Sequence, residues 1–151
     1  LKPMAEAITE GFDQILWLDG QTHQYAEEAG QMNVFFRIGD EVITPELSGT
    51  ILPGVTRDSV IQLLSDWGYT VSTRQMSIQE LKSASDAGIL NEMFGAGTAA
   101  VIAPIQSITL HDEELSVNAP NGPELSKRLL DTILGIQHGT IADTHGWTVK
   151  I

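Results

Sequence analysis

The stretch best suited to chemistry is Ile51-Leu52-Pro53-Gly54-Val55-Thr56-Arg57, a turn that follows a strand-like segment and opens onto the amphipathic run Asp58-Ser59-Val60-Ile61-Gln62-Leu63-Leu64. A helix starting here leaves its first N–H groups without intrahelical partners, which is where an anionic phosphate binds best. An ordinary helix start with a Pro-Gly turn and a threonine cap has the same signature, so the turn alone leaves both readings open. Upstream, Glu27 and Glu28 are adjacent and in a strand would point to opposite faces. If one faces the interior it needs a cationic partner, because an unpaired buried charge is costly. A protonated heterocyclic nitrogen would serve; two solvated edge carboxylates are the alternative. Downstream, Gly95-Ala96-Gly97-Thr98-Ala99 reads as a glycine-bracketed loop before a strand. Its amides could approach a ligand closely and Thr98 adds a hydroxyl. It has neither the third glycine of a dinucleotide fingerprint nor a P-loop lysine pattern, so a structural turn competes.

Other chemistry finds little support. His23, His111, His138 and His145 show no metal-ligand spacing and read as surface or packing residues. There is no Gly-x-Ser-x-Gly elbow for a hydrolase. Lys2, Lys82, Lys127 and Lys150 lie on helix surfaces or near a terminus, none in an apolar setting that would lower its pKa for imine chemistry. The chain has no cysteine, which excludes disulfides, thiolate metal sites and thiol nucleophiles and suits a reducing compartment.

The elements that must position these residues follow from hydrophobic period and turn signals. Lys2 to Gly11 reads as a helix end, and Gln14 to Leu18 as a buried strand closed by Asp19-Gly20. Strands follow over Tyr25 to Glu28 and Met32 to Ile38, the latter turning at Gly39-Asp40 into Glu41 to Thr44. A helix from about Arg57 to Trp67 stops at Gly68, and Tyr69 to Arg74 alternates as a strand. Ser77-Ile78-Gln79-Glu80 has the form of a capping box, starting a helix that ends near Gly88. Ala99 to Ile105 reads as an apolar strand, and Ile108 to Leu110 and Leu115 to Val117 flank the acidic turn His111 to Glu114. Pro123 sits at the start of a helix with Leu125, Leu129, Leu130, Ile133 and Ile136 on one face up to Gly139. The fold class is mixed α/β, with mostly antiparallel strands.

At 151 residues the chain is long enough for one domain with a real core. A net charge of −12 argues against nucleic acid and anionic membranes as partners. No apolar run reaches membrane-spanning length; the longest, Thr98 to Ile105, contains Pro104. No signal peptide or polybasic targeting segment is evident. The chain begins with Leu1 rather than Met, so a fragment is the expectation.

Taken in order, Gln14-Ile15-Leu16-Trp17-Leu18-Asp19-Gly20, Glu28-Ala29-Gly30-Gln31-Met32-Asn33, Ile51 to Arg57, Glu92-Met93-Phe94-Gly95-Ala96-Gly97-Thr98-Ala99 and Ile136-Gln137-His138-Gly139 resemble the branched-chain aminotransferases, of the fold-type IV (class IV) pyridoxal-phosphate enzymes. The match runs to the Gly146-Trp147 tail. It implies the large C-terminal domain of that fold, a mostly antiparallel pseudo-barrel sheet surrounded by helices. It also implies amino transfer between leucine, isoleucine or valine and 2-oxoglutarate, with pyridoxal 5′-phosphate as cofactor. By this resemblance Glu28 pairs with the cofactor's pyridine nitrogen, Val55 and Thr56 form the phosphate cup, Thr98 gives a second phosphate contact and Leu52 packs on the ring. The amides of Thr98 and Ala99 match the site for the substrate's α-carboxylate. The family further implies a cytoplasmic homodimer or larger assembly.

Two departures matter. The animal branch of the family carries a Cys-x-x-Cys pair where this chain has Ala100 and Ala103, so a thiol switch there is absent. The family's Schiff-base lysine is expected upstream of Leu1, Lys2 being too late in the match, and the N-terminal domain is expected to be missing. A chain inactive by itself follows. A D-amino-acid aminotransferase or aminodeoxychorismate lyase of the same fold stays open, though Glu92 to Ala99 and Ile136 to Gly139 argue against both. A non-catalytic domain that binds phosphate ligands or mediates assembly is the other alternative.

Overall fold

The computed structural model describes residues 2–149. Its elements are α1 (Lys2–Thr9), β1 (Leu16–Leu18), β2 (Ala26–Ala29), β3 (Met32–Ile38), β4 (Glu41–Thr44), α2 (Val55–Asp66), β5 (Thr70–Thr73), α3 (Ile78–Asp86), β6 (Leu90–Gly97), β7 (Val101–Ile105), β8 (Ser107–Leu110), β9 (Glu113–Ser116) and α4 (Glu124–Gln137). The class is mixed α/β with predominantly antiparallel pairing. The exception is β4 with β5, which run parallel because α2 carries the chain back between them.

The sheet forks at β3. Along one edge β3 pairs antiparallel with β6 from Asn33↔Ala96 to Ile38↔Leu90. The other edge is divided: Met32 and Asn33 pair with β2, while Phe36 to Ile38 pair with β4. Between the two, β4 stops because Pro45 has no N–H to continue the ladder. The Thr44 hydroxyl bonds the Val34 carbonyl (2.8 Å) in place of a backbone donor. The chain leaves the sheet there and returns as the loop that delivers α2.

Alternation along β3 then sorts the core onto two faces. Phe35, with Val42, Phe94, Ala96 and Ile102, packs under Val60, Leu63 and Leu64 of α2 and Leu125, Leu129 and Ile133 of α4. Phe35 and Phe94 are register partners whose rings stack 5.0 Å apart. Val34 and Phe36 face the other way, onto Leu81 and Ala84 of α3 and Leu115 of β9. Half of the capping box starting α3 forms: Ser77 Oγ accepts the Glu80 N–H at 3.0 Å, while the Glu80 carboxylate takes Arg74 instead of reaching back to the Ser77 N–H.

Three expectations need correction. The segment Gln14 to Leu18 is not a buried strand: only Leu16–Leu18 is paired, and as an edge strand with β2 alone beside it, Trp17 stays 37% exposed. Gly95 and Gly97 belong to β6 rather than to a loop. A Cβ on either would meet the Met32 side chain, at 2.8 and 3.1 Å, so these glycines make room for a methionine. The turn between β8 and β9 is only His111-Asp112, both at positive φ (47° and 67°), as a two-residue hairpin requires.

Candidate functional site

Loop 45–54 is held by the strands on either side of the fork. Glu28 and Asn33 are opposite each other on β2 and β3. The Glu28 carboxylate accepts the Leu52 N–H (3.0 Å), and the Asn33 side-chain amide donates to the Leu52 carbonyl (2.9 Å). Asn33 is 5% exposed, so its amide must be satisfied internally, and the loop backbone satisfies it. Gly54 is required for closeness rather than for an unusual φ: a Cβ there would lie 2.3 Å from Asn33 Oδ1. Glu27 is skipped by the β1–β2 register, Trp17 opposing Glu28 and Leu18 opposing Ala26. Its carboxylate takes the Thr50 hydroxyl at 2.7 Å, so both glutamates fasten the same loop.

The loop ends on an uncapped helix. The N-cap of α2 is Gly54, which has no side chain to offer, and the first N–H to close back is that of Asp58, on the Gly54 carbonyl. The amides of Val55, Thr56 and Arg57 come before it and carry the positive end of the helix dipole. The threonine-cap reading of this turn therefore falls away, Thr56 being the second residue of the helix. Beside these amides, Leu52 and Val55 are 66% and 83% exposed, an apolar surface next to a carboxylate.

Thr98 and Ala99 lie in the exposed turn between β6 and β7. Ala96, two residues earlier, is the register partner of Asn33, so this turn and the start of α2 stand at the same end of the sheet, tied through one asparagine. The turn closes on Val101 with φ 58°, an unfavourable value for a β-branched residue. The sheet thus gathers Glu28, Leu52, Val55, Thr56, Thr98 and Ala99 at one end.

This end is an open surface. The cavities of about 290 Å³ beside Asp19, Glu27 and Thr50 and of about 250 Å³ beside Arg37, Asn91 and Glu124 take in none of Glu28, Thr56 and Thr98. The polar chemistry, not the depth of a hollow, marks the site. An uncapped helix start binds an anion, an exposed apolar pair supports a flat ring, and a nearby carboxylate matches a cationic nitrogen. A phosphorylated aromatic heterocycle fits that set.

The lysines of the described residues are engaged with acids other than Glu28. Lys2 faces Glu6 on α1 (3.7 Å), Lys82 bonds Glu113, and Lys127 pairs with Asp131 on α4. Lys150 lies outside the described residues. Asn33 and Arg57 were within quoted motifs but unassigned from sequence. A polar residue inside the apolar run Met32 to Ile38, and a cation in the first turn of a helix, were the signals that marked them.

Comparison with known proteins identifies the family. The family model described as amino-transferase class IV matches residues 1–108. A branched-chain-amino-acid aminotransferase 2 of Bacillus subtilis (strain 168) is 50% identical over the whole chain, which covers 42% of that relative. A branched-chain-amino-acid aminotransferase of Mycolicibacterium smegmatis is 43% identical, again over the whole chain and 42% of its length. The chain thus spans about two-fifths of the curated relatives it matches. Among solved structures, the Escherichia coli branched-chain amino acid aminotransferase superposes with a TM-score of 0.76 at 29% identity, covering 95% of this chain and 43% of that one. A T.th. branched-chain amino acid aminotransferase complexed with N-(5′-phosphopyridoxyl)-L-glutamate gives a TM-score of 0.78, also at 29% identity, over 95% of this chain and 44% of that one.

Proposed function

The chain belongs to the class IV aminotransferases, and from that premise we propose that it is the C-terminal, cofactor-binding domain (residues 1–151) of a branched-chain-amino-acid aminotransferase. The parent reaction moves the amino group of leucine, isoleucine or valine to 2-oxoglutarate, giving the branched-chain 2-oxo acid and glutamate, a step of amino-acid biosynthesis. The observation that carries the reading is the tie between Glu28 and Leu52, which sets a carboxylate beside the uncapped start of α2.

Pyridoxal 5′-phosphate, when bound, supplies the electron sink and the carrier for the amino group. Glu28 holds the pyridine nitrogen in its charged form. Val55 and Thr56 bind the phosphate through their amides and the Thr56 hydroxyl, with Thr98 as a second contact. Leu52, its backbone fixed at both ends, packs on the ring. The amides of Thr98 and Ala99 orient the substrate α-carboxylate. Glu28 is tied to loop 45–54, so the ring-nitrogen site and the phosphate cup are set by one piece of backbone, which keeps the bound ring in register with the substrate turn.

Lys2, Lys82 and Lys127 pair with Glu6, Glu113 and Asp131 rather than with Glu28, and this chain alone is proposed to bind the cofactor without turnover. The full-length protein is proposed to be a cytoplasmic homodimer or larger assembly.

The test is a titration of the chain with pyridoxal 5′-phosphate against Thr56→Ala and Glu28→Gln. Binding that weakens in both variants supports the reading; identical binding in all three, or none, refutes it. Turnover of leucine by this chain alone would refute the proposed inactivity.

A further inference from the structure

Arg57 has the wrong sign for an ordinary helix start. It is the third residue of α2, where a cation opposes the positive end of the helix dipole. It is also 4% exposed, and arginine is seldom buried so completely without a matched anion. Its partners here are incomplete. One Nη donates to the Pro45 carbonyl (3.1 Å), at the point where the loop leaves β4. The other stands 3.5 Å from Asp58, a carboxylate 71% exposed and therefore weakly felt through water. The buried Nε has no hydrogen-bond partner among the described residues.

Two positive features, the buried guanidinium and the free amides of Val55 and Thr56, thus stand in one turn that holds only the exposed Asp58 carboxylate, while Glu28 beside it is committed to the Leu52 N–H. A dianion at those amides would supply the missing charge. We infer that Arg57 is a positioning residue of the phosphate cup: its buried charge is part of the counter-charge for the phosphate, and its bond to Pro45 holds the loop that carries the cup. This rests on the cofactor-domain reading above and adds a residue to it. The charge acts at a distance through a poorly screened interior, without direct contact to the phosphate.

The test uses the 151-residue chain and three probes: pyridoxal 5′-phosphate, pyridoxal without the phosphate, and inorganic phosphate. Binding is followed by tryptophan fluorescence and by thermal shift. Arg57→Met is expected to weaken pyridoxal 5′-phosphate and inorganic phosphate about tenfold or more while leaving pyridoxal unchanged. Arg57→Lys, which keeps the charge, is expected to retain most of the affinity. The inference is overturned if Arg57→Met binds like wild type, if pyridoxal loses as much as its phosphate ester, or if Arg57→Lys loses as much as Arg57→Met. Each of the last two results would leave a purely structural brace. Should Arg57→Met not fold, Asp58→Asn replaces it. Removing this exposed competitor for the guanidinium is expected to tighten phosphate binding several-fold, and unchanged or weaker binding overturns the inference. If wild type itself shows no preference for the phosphorylated probe, the cup reading fails instead, whatever Arg57 does.

Discussion

Glu28 and Asn33 face each other across β2 and β3 and hold opposite ends of one residue, the carboxylate taking the Leu52 N–H and the amide giving to its carbonyl. A cross-strand pair is thereby converted into a clamp on a loop. Asn33→Leu removes one jaw and leaves the Leu52 carbonyl unmatched. A stability loss of about 1–3 kcal/mol is expected in urea unfolding, together with weaker pyridoxal 5′-phosphate binding. Loss of stability with unchanged binding would separate the clamp from the site.

Gly54 stands in the same clamp from the other side. Gly54→Ala drives a methyl group into Asn33 Oδ1, whose amide is already committed, so the loop must shift. The expected cost is about 1–3 kcal/mol, although alanine ordinarily has the advantage over glycine in unfolded-state entropy. Thermal denaturation of the variant checks this; a rise in Tm would show that the loop yields freely.

The start of α4 is capped from another element. Glu92, 3% exposed on β6, accepts the N–H groups of Leu125 and Ser126 (2.8 and 3.0 Å) and the Ser126 hydroxyl, with Arg37 at 3.5 Å. Glu92→Ala strands these donors in the interior, and a loss of about 3 kcal/mol is expected in chemical denaturation. Because α4 covers Phe94 and Ile102, near-ultraviolet circular dichroism should change with it.

Acid sensitivity has a local source at Asp19. The amides of Thr22, Tyr25 and Gln24 and the Thr22 hydroxyl hold its carboxyl well below the ordinary 3.8, against a smaller opposing effect of desolvation. A depressed carboxyl contributes stability that is full above its unfolded value and is lost as pH falls through the folded one. Asp19→Asn should therefore lower Tm at neutral pH, with the gap to wild type shrinking only below about pH 4. Asp143 works in the same sense. Desolvation opposes ionisation there, but the Thr148, Trp147 and His145 amides and the Thr148 hydroxyl outweigh it and bring the carboxyl to about 2.

Val101 sits at φ 58° where the Thr98 turn re-enters the sheet. Val101→Gly removes about 1–2 kcal/mol of steric cost and adds a smaller entropic one, so a net gain of about 0.5–1 kcal/mol is expected in the free energy of urea unfolding. No gain would mean that contacts of the valine side chain offset the strain.

Long periodic elements and caps were legible in the sequence because their signals are local. The bounds of β3, the Ser77 N-cap and the buried face of α4 all follow from spacing and side-chain type. The glycines of β6 were read as a loop because a glycine in a turn and a glycine beside Met32 look alike until the partner strand is known. Glu27 and Glu28 stood out only as a pair of strand carboxylates, Glu28 being chosen by the family resemblance, and Asn33 and Arg57 take their meaning from loop 45–54 and Pro45, 12 to 19 residues away in sequence. Pairings of that separation are set by topology, which no local window contains.

The forked edge of β3 also governs how the molecule can deform. On one side β6 runs along β3 as a continuous splint; on the other, β1–β2 and β4–β5 meet it as separate flaps, with Val34 between them. The two flaps are joined twice: loop 45–54 is a strap that leaves β4 at one end and is fastened to β2 and β3 at the other, and the segment after β5 bonds the start of β2 through Ala26–Met76 and Ile78–Gln24. A molecule pressed against the start of α2 therefore loads both flaps at once. Its arrival should slow amide exchange in β2 and β4 together, although these strands share no hydrogen-bonded ladder.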